Sequence, residues 1–281
     1  MNMEFLLDNS HLPSLPMMYH RLCQAIENPR CSVDHICQII TEDPGLTARL
    51  LKIANSTLYH PPFPVLTVSR AVALIGTRQI KNLVMATYVI DAFSGVPDTQ
   101  LNMKSFWQHS LACGLAARVI AIARREVHIE QFYLTGLLHD LGLLTLFTHL
   151  PKESADILTQ CQTNKAPLYA LEKEVLGFNH AELGGKLLQQ WQLPKEICLP
   201  IQFHHTPDQT PDYQLETAII HVADLMALSM RLGSTGERHL PPLSTTAFEK
   251  IGLPVSTIPN LLERVFSQFQ DANHIFTRLQ P

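Results

Sequence analysis

Cysteine pairs at metal-ribbon or redox spacing are missing from this chain. Its six cysteines (Cys23, Cys31, Cys37, Cys113, Cys161, Cys198) are scattered over 281 residues without one CxxC. That excludes zinc-ribbon and thioredoxin-type motifs and reads as reduced thiols, mostly core filler, in a cytoplasmic protein. A basic excess is missing too: 21 Lys+Arg stand against 25 Asp+Glu, for a formal charge of −4. Without a cationic face there is no footprint for non-specific nucleic-acid binding, so no nucleic acid is expected as a partner. No N-terminal stretch combines a basic start, an apolar run and a small-residue cleavage site, as a signal peptide would. Only Phe132–Pro151 is apolar over a membrane-spanning length, and His139-Asp140 lies at its centre. An ionised aspartate at mid-bilayer costs about 2.5–3.5 kcal/mol even on lenient scales, so no membrane partner is expected. Finally, no segment alternates polar and apolar residues with period two, and no 20–50-residue repeat is present.

What is there is helical patterning. The spacing predicts helices entered at Leu12-Pro13-Ser14-Leu15-Pro16, capped by Ser32 and by Asp43 ahead of Pro44, broken by Tyr59–Pro64, and capped again by Thr67. Residues 1–11 read as a frayed lead-in. Ser94-Gly95-Val96-Pro97-Asp98 reads as a linker between two all-helical lobes. The expected division is 1–97 for the first lobe, 98–235 for the second, and 236–281 for a helical extension packed on the domain. The second lobe is predicted to hold helices near 103–125, 129–147, two between Pro151 and Gly177, one from Asn179, one ending at His204-His205, and one over 213–232.

The chemistry concentrates in that lobe. A vicinal His139-Asp140 pair sits in a leucine-rich run, where burying a carboxylate and an imidazole is costly unless both are compensated. A hydrogen-bonded, metal-free pair would compensate them; so would a cation. His109, His180, His204, His205 and Asp224 come from other predicted helices, with 19 to 40 residues separating successive positions from 109 to 224. Those separations are one or two helix–loop units, which lets helix ends converge as in bundle metal sites. Five imidazoles and two carboxylates suit Fe, Mn, Zn, Ni or Co better than Mg or Ca. Adjacent His204 and His205 point about 100° apart on a regular helix, so both can ligate only where the helix ends, as Thr206-Pro207 suggests. His221 shares a helix face with Asp224, which allows it to support a ligand or touch a substrate, but core packing is the favoured reading.

The order His109 … His139-Asp140 … Asp224 resembles the HD superfamily of metal-dependent phosphohydrolases, with His180 and His204-His205 matching the added ligands of its binuclear members. Glu42-Asp43-Pro44-Gly45-Leu46, Leu50 to Ser56, Val68 to Gly76 and Phe106-Trp107-Gln108-His109-Ser110 are similar to successive segments of the HDOD family. HDOD domains are HD-related output domains of bacterial signalling proteins, and the similarity runs over roughly residues 12–232. The resemblance implies an all-α fold of two helical lobes, the second an HD-like bundle. It implies that His109, His139, Asp140 and Asp224 hold one divalent transition metal. Asp140 would bridge to a second held by His180, His204 and His205, and would serve as the catalytic residue with a metal-bound water.

Many HDOD domains have lost part of this set; this chain keeps every position. The HD-GYP phosphodiesterases, which hydrolyse cyclic di-GMP, carry a Lys where this chain has Leu143. They have a Gly-Tyr-Pro segment where it has Thr206 to Pro211. The resemblance therefore implies first a signalling module with a metal site, its partners being signalling proteins or a small phosphorylated ligand. The alternative is an active metal-dependent phosphohydrolase on a nucleotide or phosphodiester. Few cations lie near the ligands in sequence. Lys186 and Lys195 are nearest, and Lys81, Arg118, Arg124 and Arg125 read as a solvated face.

Overall fold

The structure, a computed structural model, describes residues 3–7, 16–56, 59, 61–93, 101–164, 166–237 and 239–276, the side chains to 273. The linker at 94–98 and most of the 12–16 helix entry lie outside them. Among the described residues the regular structure is helical, without a strand. The elements are α1 (Met3–Leu7), α2 (Met17–Glu27), α3 (Val33–Thr41), α4 (Pro44–Ala54), α5 (Val68–Ile75), α6 (Thr77–Ala92), α7 (Met103–Arg124) and α8 (Ile129–Leu138). They continue with α9 (Leu141–His149), α10 (Pro151–Asn164), α11 (Leu168–Leu176), α12 (His180–Gln190), α13 (Lys195–Phe203), α14 (Gln214–Ser229), α15 (Thr245–Ile251) and α16 (Ile258–Phe276).

The chain divides into two compact units: 13–94 with 266–281, and 1–12 with 95–265. In the 13–94 unit the helices begin where short polar side chains take up the first amide donors. Ser32, Asp43 and Thr67 accept from His35, Leu46 and Arg70 N–H. α5 ends at Gly76, whose φ of 94° favours glycine. Asn55 spans the Pro-rich break: its amide donates to the Val65 carbonyl at 2.8 Å and its oxygen accepts from Val65 N–H at 2.7 Å.

The 95–265 unit holds the functional residues. α7 is its axis, with Phe106, Leu111, Leu115, Val119 and Ile120 at 1% exposure or less. Burial of each such side chain contributes about 1.5–3 kcal/mol. α7 meets the length and composition of a membrane helix, but 78% of that stretch is buried in the protein. α7 and α8 cross where Gly114 faces Gly136. A methyl group added at Gly136 would lie 2.8 Å from Gly114 Cα, so only two glycines allow this approach.

Two expectations are corrected. The lead-in is not wholly frayed: α1 forms, buries Leu6 to 1% and packs on α12. The predicted single helix over 129–147 is two helices, broken at His139-Asp140, because Asp140 leaves helical geometry (φ −100°, ψ 14°). α9 then packs with Gly142 directly against the His180 carbonyl and Gly184 N of α12, an approach that a Cβ would block.

Candidate metal centre

Each candidate ligand stands at a position that the local fold dictates. His109 lies on α7 just ahead of the glycine crossing. His139 closes α8, and its Nδ1–H donates to the Gly136 carbonyl at 2.7 Å. His204 closes α13 in the same way, donating from Nδ1 to Ile201 O at 2.7 Å. Both imidazoles thus satisfy a carbonyl that the last helical turn leaves over. A carbonyl can only accept, so Nδ1 carries the proton, and in the neutral rings Nε2 presents a lone pair to the centre. Asn179 caps α12 through a capping box with Glu182, which frees His180 to point inward. Asp224 projects from the middle of α14.

All seven converge. Asp140, His180, His204 and His205 form one group of donor atoms lying within 4.8 Å of one another, and His109, His139 and Asp224 form a second. Asp140 faces both. Its Oδ2 is 3.1 Å from His139 Nε2 and 3.7 Å from His109 Nε2; its Oδ1 is 3.2 Å from His180 Nε2 and 3.7 Å from His204 Nε2. His109 Nε2 is 3.0 Å from Asp224 Oδ1, and His205 Nε2 is 2.8 Å from His180 Nε2. Adjacent donors on one ion at metal–nitrogen distances of about 2.0–2.1 Å stand about 2.9–3.4 Å apart, a spacing that the pairs at 3.0, 3.1 and 3.2 Å match and the two at 3.7 Å exceed. Six of the seven are buried, with His205 the partly exposed member.

The donor chemistry fits a cation. His109 Nε2, His139 Nε2, His204 Nε2 and Asp140 Oδ1 are buried and make no aligned hydrogen bond, although they point into the cluster. Four orphaned donors or acceptors in one buried site are a large desolvation cost without an ion to collect them. Burial alone would raise the Asp140 and Asp224 carboxyls. The imidazoles around them, His139 foremost for Asp140 and His109 for Asp224, instead hold both well below the usual carboxylate range. Burial pushes His204 down to about 3, a ring poised to ligate as the neutral base.

Two contributors, Glu172 and Tyr169, escaped sequence reasoning, and a third, His221, fills the role that the sequence ranks second. Glu172 of α11, 2% exposed, accepts at one oxygen from both His180 N–H (2.8 Å) and His180 Nδ1–H (2.6 Å). A carboxylate there fixes the ring and raises its basicity. The clue was in the sequence: Glu172 falls in the apolar stripe Leu168, Leu171, Leu176. Tyr169 stacks on His205 with centroids 4.4 Å apart and planes 15° from parallel. His221 is more than core packing. It donates from Nδ1 to the His204 carbonyl at 2.7 Å and accepts at Nε2 from Ser244 N–H at 3.0 Å, which ties the paired histidines to the cap of α15. Three of the four cations expected on a solvated face are instead drawn into ion pairs, with side chains 19%, 13% and 22% exposed. Lys81, Arg118 and Arg124 are engaged with Glu27, Glu130 and Glu126, and Leu143 is a core residue at 1% exposure.

An all-helical unit that brings a vicinal His-Asp pair into a buried His/Asp cluster defines an HD-type domain. More narrowly, the chain belongs to the HDOD family, whose domain profile matches residues 12–207. It is 32% identical over 203 residues to an uncharacterized protein of Treponema pallidum, covering 72% of this chain but only 39% of that protein. The fold is that of an HDOD domain protein of unknown function from Geobacter sulfurreducens (TM-score 0.77, 24% identity, 94% of this chain and 96% of that one). It is also that of a candidate phosphohydrolase from Shewanella amazonensis (TM-score 0.75, 23% identity, 96% and 99%).

Proposed function

We propose that the centre binds two divalent transition-metal ions and that the chain is a metal-dependent phosphohydrolase of HD type. The observation that carries this is the division of Asp140: one oxygen faces His109 and His139, the other His180 and His204. His109, His139 and Asp224 would hold one ion, and His180, His204 and His205 the other, with Asp140 between them. Bound ions would supply Lewis-acid polarisation of a phosphoryl oxygen and acidify a water. The chain's own residues set the rest. Glu172 orients His180, His221 holds the turn that carries His204 and His205, and buried leucines around Asp140 lower the local dielectric.

A second reading, a ligand-binding signalling module with slow or no turnover, is favoured by Leu143. That side chain is apolar and buried where HD-GYP enzymes carry a Lys, so one phosphate-stabilising cation is missing.

The test is metal content of protein purified without a polyhistidine tag, beside Asp140→Ala. The expected result is about two ions per chain, lost in the variant, with hydrolysis of bis(p-nitrophenyl) phosphate that depends on those ions. Two ions without hydrolysis of mono- or diesters select the binding module. No metal in a folded wild type overturns both.

A further inference from the structure

The seven candidate ligands do not meet solvent evenly. His109, His139 and Asp224, the three that would hold one ion, are all buried, and so are Asp140, His180 and His204. His205 is partly exposed. It is also held differently. The Nδ1 atoms of His139, His180 and His204 each bond a fixed partner: Gly136 O, Glu172 Oε2 and Ile201 O. Among the described residues, the hydrogen bond of His205 runs to His180 through Nε2, the atom that faces the centre. Ring contacts hold it instead. Tyr169 lies nearly parallel to it, with centroids 4.4 Å apart and planes at 15°, and the His204 ring is 3.9 Å away.

α11 sets where Tyr169 stands. Its first amide, Leu168 N–H, donates to Glu237 Oε1 at 2.7 Å, which fixes the start of the helix. Tyr169 and Glu172 are three residues apart and so share a face of α11. From that face Glu172 reaches His180 and Tyr169 reaches His205, two of the three imidazoles of the second group. The first is gripped by a buried carboxylate; the second is covered by a partly exposed aromatic ring. A stacked ring pair contributes less than a hydrogen bond to a charged group, and parting it leaves no buried polar atom unpaired. His205 is therefore the ligand that can swing away at the lowest cost.

Resting on the metal-centre reading above, we propose that the two metal positions are unequal: the second exchanges with solvent at the His205 corner, and Tyr169 is the positioning residue that keeps this corner shut. The Tyr169 ring presses His205 against the centre. When it moves aside, His205 Nε2 withdraws and a water or a chelator reaches the second position. His109, His139 and Asp224 stand on the other side of Asp140 and include no exposed member, so the first position is retentive.

The test is stopped-flow release of zinc from the full chain loaded with Zn(II), read by the absorbance of the chelator 4-(2-pyridylazo)resorcinol, with metal content measured beforehand. Wild type should release one ion fast and one slowly. His205→Ala should load a single ion and lack the fast phase. Tyr169→Ala should load both ions and speed the fast phase about three- to tenfold, the factor that loss of a ring pair implies, with the slow phase unchanged. Tyr169→Phe keeps the ring and should release zinc at the wild-type rates. That rescue and the unchanged slow phase separate a cover over His205 from a general loosening of α11, which would speed both phases. Release of two ions in one phase, a fast phase that survives in His205→Ala, or a Tyr169→Ala variant that speeds both phases or neither overturns the gate while the metal centre stands. A folded wild type that takes up fewer than two ions overturns the two-ion reading as well.

Discussion

At the scale of single residues, the centre depends on side chains that hold the ligands as much as on the ligands. Glu172 accepts two hydrogen bonds from His180 in a site closed to solvent. Glu172→Gln keeps the shape but exchanges the anion for a neutral amide. Loss of such a partner typically weakens metal affinity about 10–100-fold, and chelator competition at constant pH will show this with little change in fold. His221 answers a different question. Its ring satisfies the His204 carbonyl on one side and the Ser244 amide on the other. His221→Ala leaves both without partners, so the variant should be about 2–4 kcal/mol less stable in urea unfolding, with the slope on denaturant unchanged.

At the scale of elements, close helix crossings aim these side chains. The α7–α8 crossing at Gly114 and Gly136 fixes His109 relative to His139, and the α9–α12 crossing at Gly142 fixes Asp140 relative to His180. Gly136→Ala puts a methyl group 2.8 Å from Gly114 Cα, with backbone on the other side that has no flexible end to yield. The expected cost is about 1–3 kcal/mol of thermal or chemical stability, together with weaker metal retention, because His139 moves with the end of α8. A larger loss of metal than of stability would show that the crossing mainly sets ligand geometry. This scale also shows what the sequence makes legible. Ser32, Asp43, Thr67 and Asn179 are local signals: each needs only its own next three residues to cap a helix, and each does so. The break at His139-Asp140 has no such signal. The run around it is uniformly apolar, and the kink is imposed by α7 and α12, which are distant in sequence. The seven candidate ligands were legible because residue type and order carry them, and the fold brings them together. Glu172 and Tyr169 were not, since contacts such as His180 to Glu172 are tertiary facts.

At the scale of the whole molecule, protonation couples the centre to stability. Among the groups near it, Glu237 offers the cleanest reading, because it is not a candidate ligand and its partner among the described residues is Leu168 N–H. Burial pushes its carboxyl up from 4.5 to about 7, with the Asp224 and Asp140 charges adding to the rise. Between those two values the folded chain holds a proton that the unfolded chain has released. Stability contributed by that protonated form is complete below about 4.5 and is lost as pH rises to about 7, after which the deficit is constant. Glu237→Gln can still accept from Leu168 but has no proton to lose. The variant should match wild type near pH 4.5 and exceed it by about 2 kcal/mol above pH 7, a figure that allows for partial exposure of the side chain to solvent. Metal-free protein is the sample to use, because nearby cations would favour the ionised form and narrow the window. Urea unfolding of both proteins across pH 4.5–8 measures the difference directly, and a gap that does not widen with pH would place the Glu237 carboxylate in solvent.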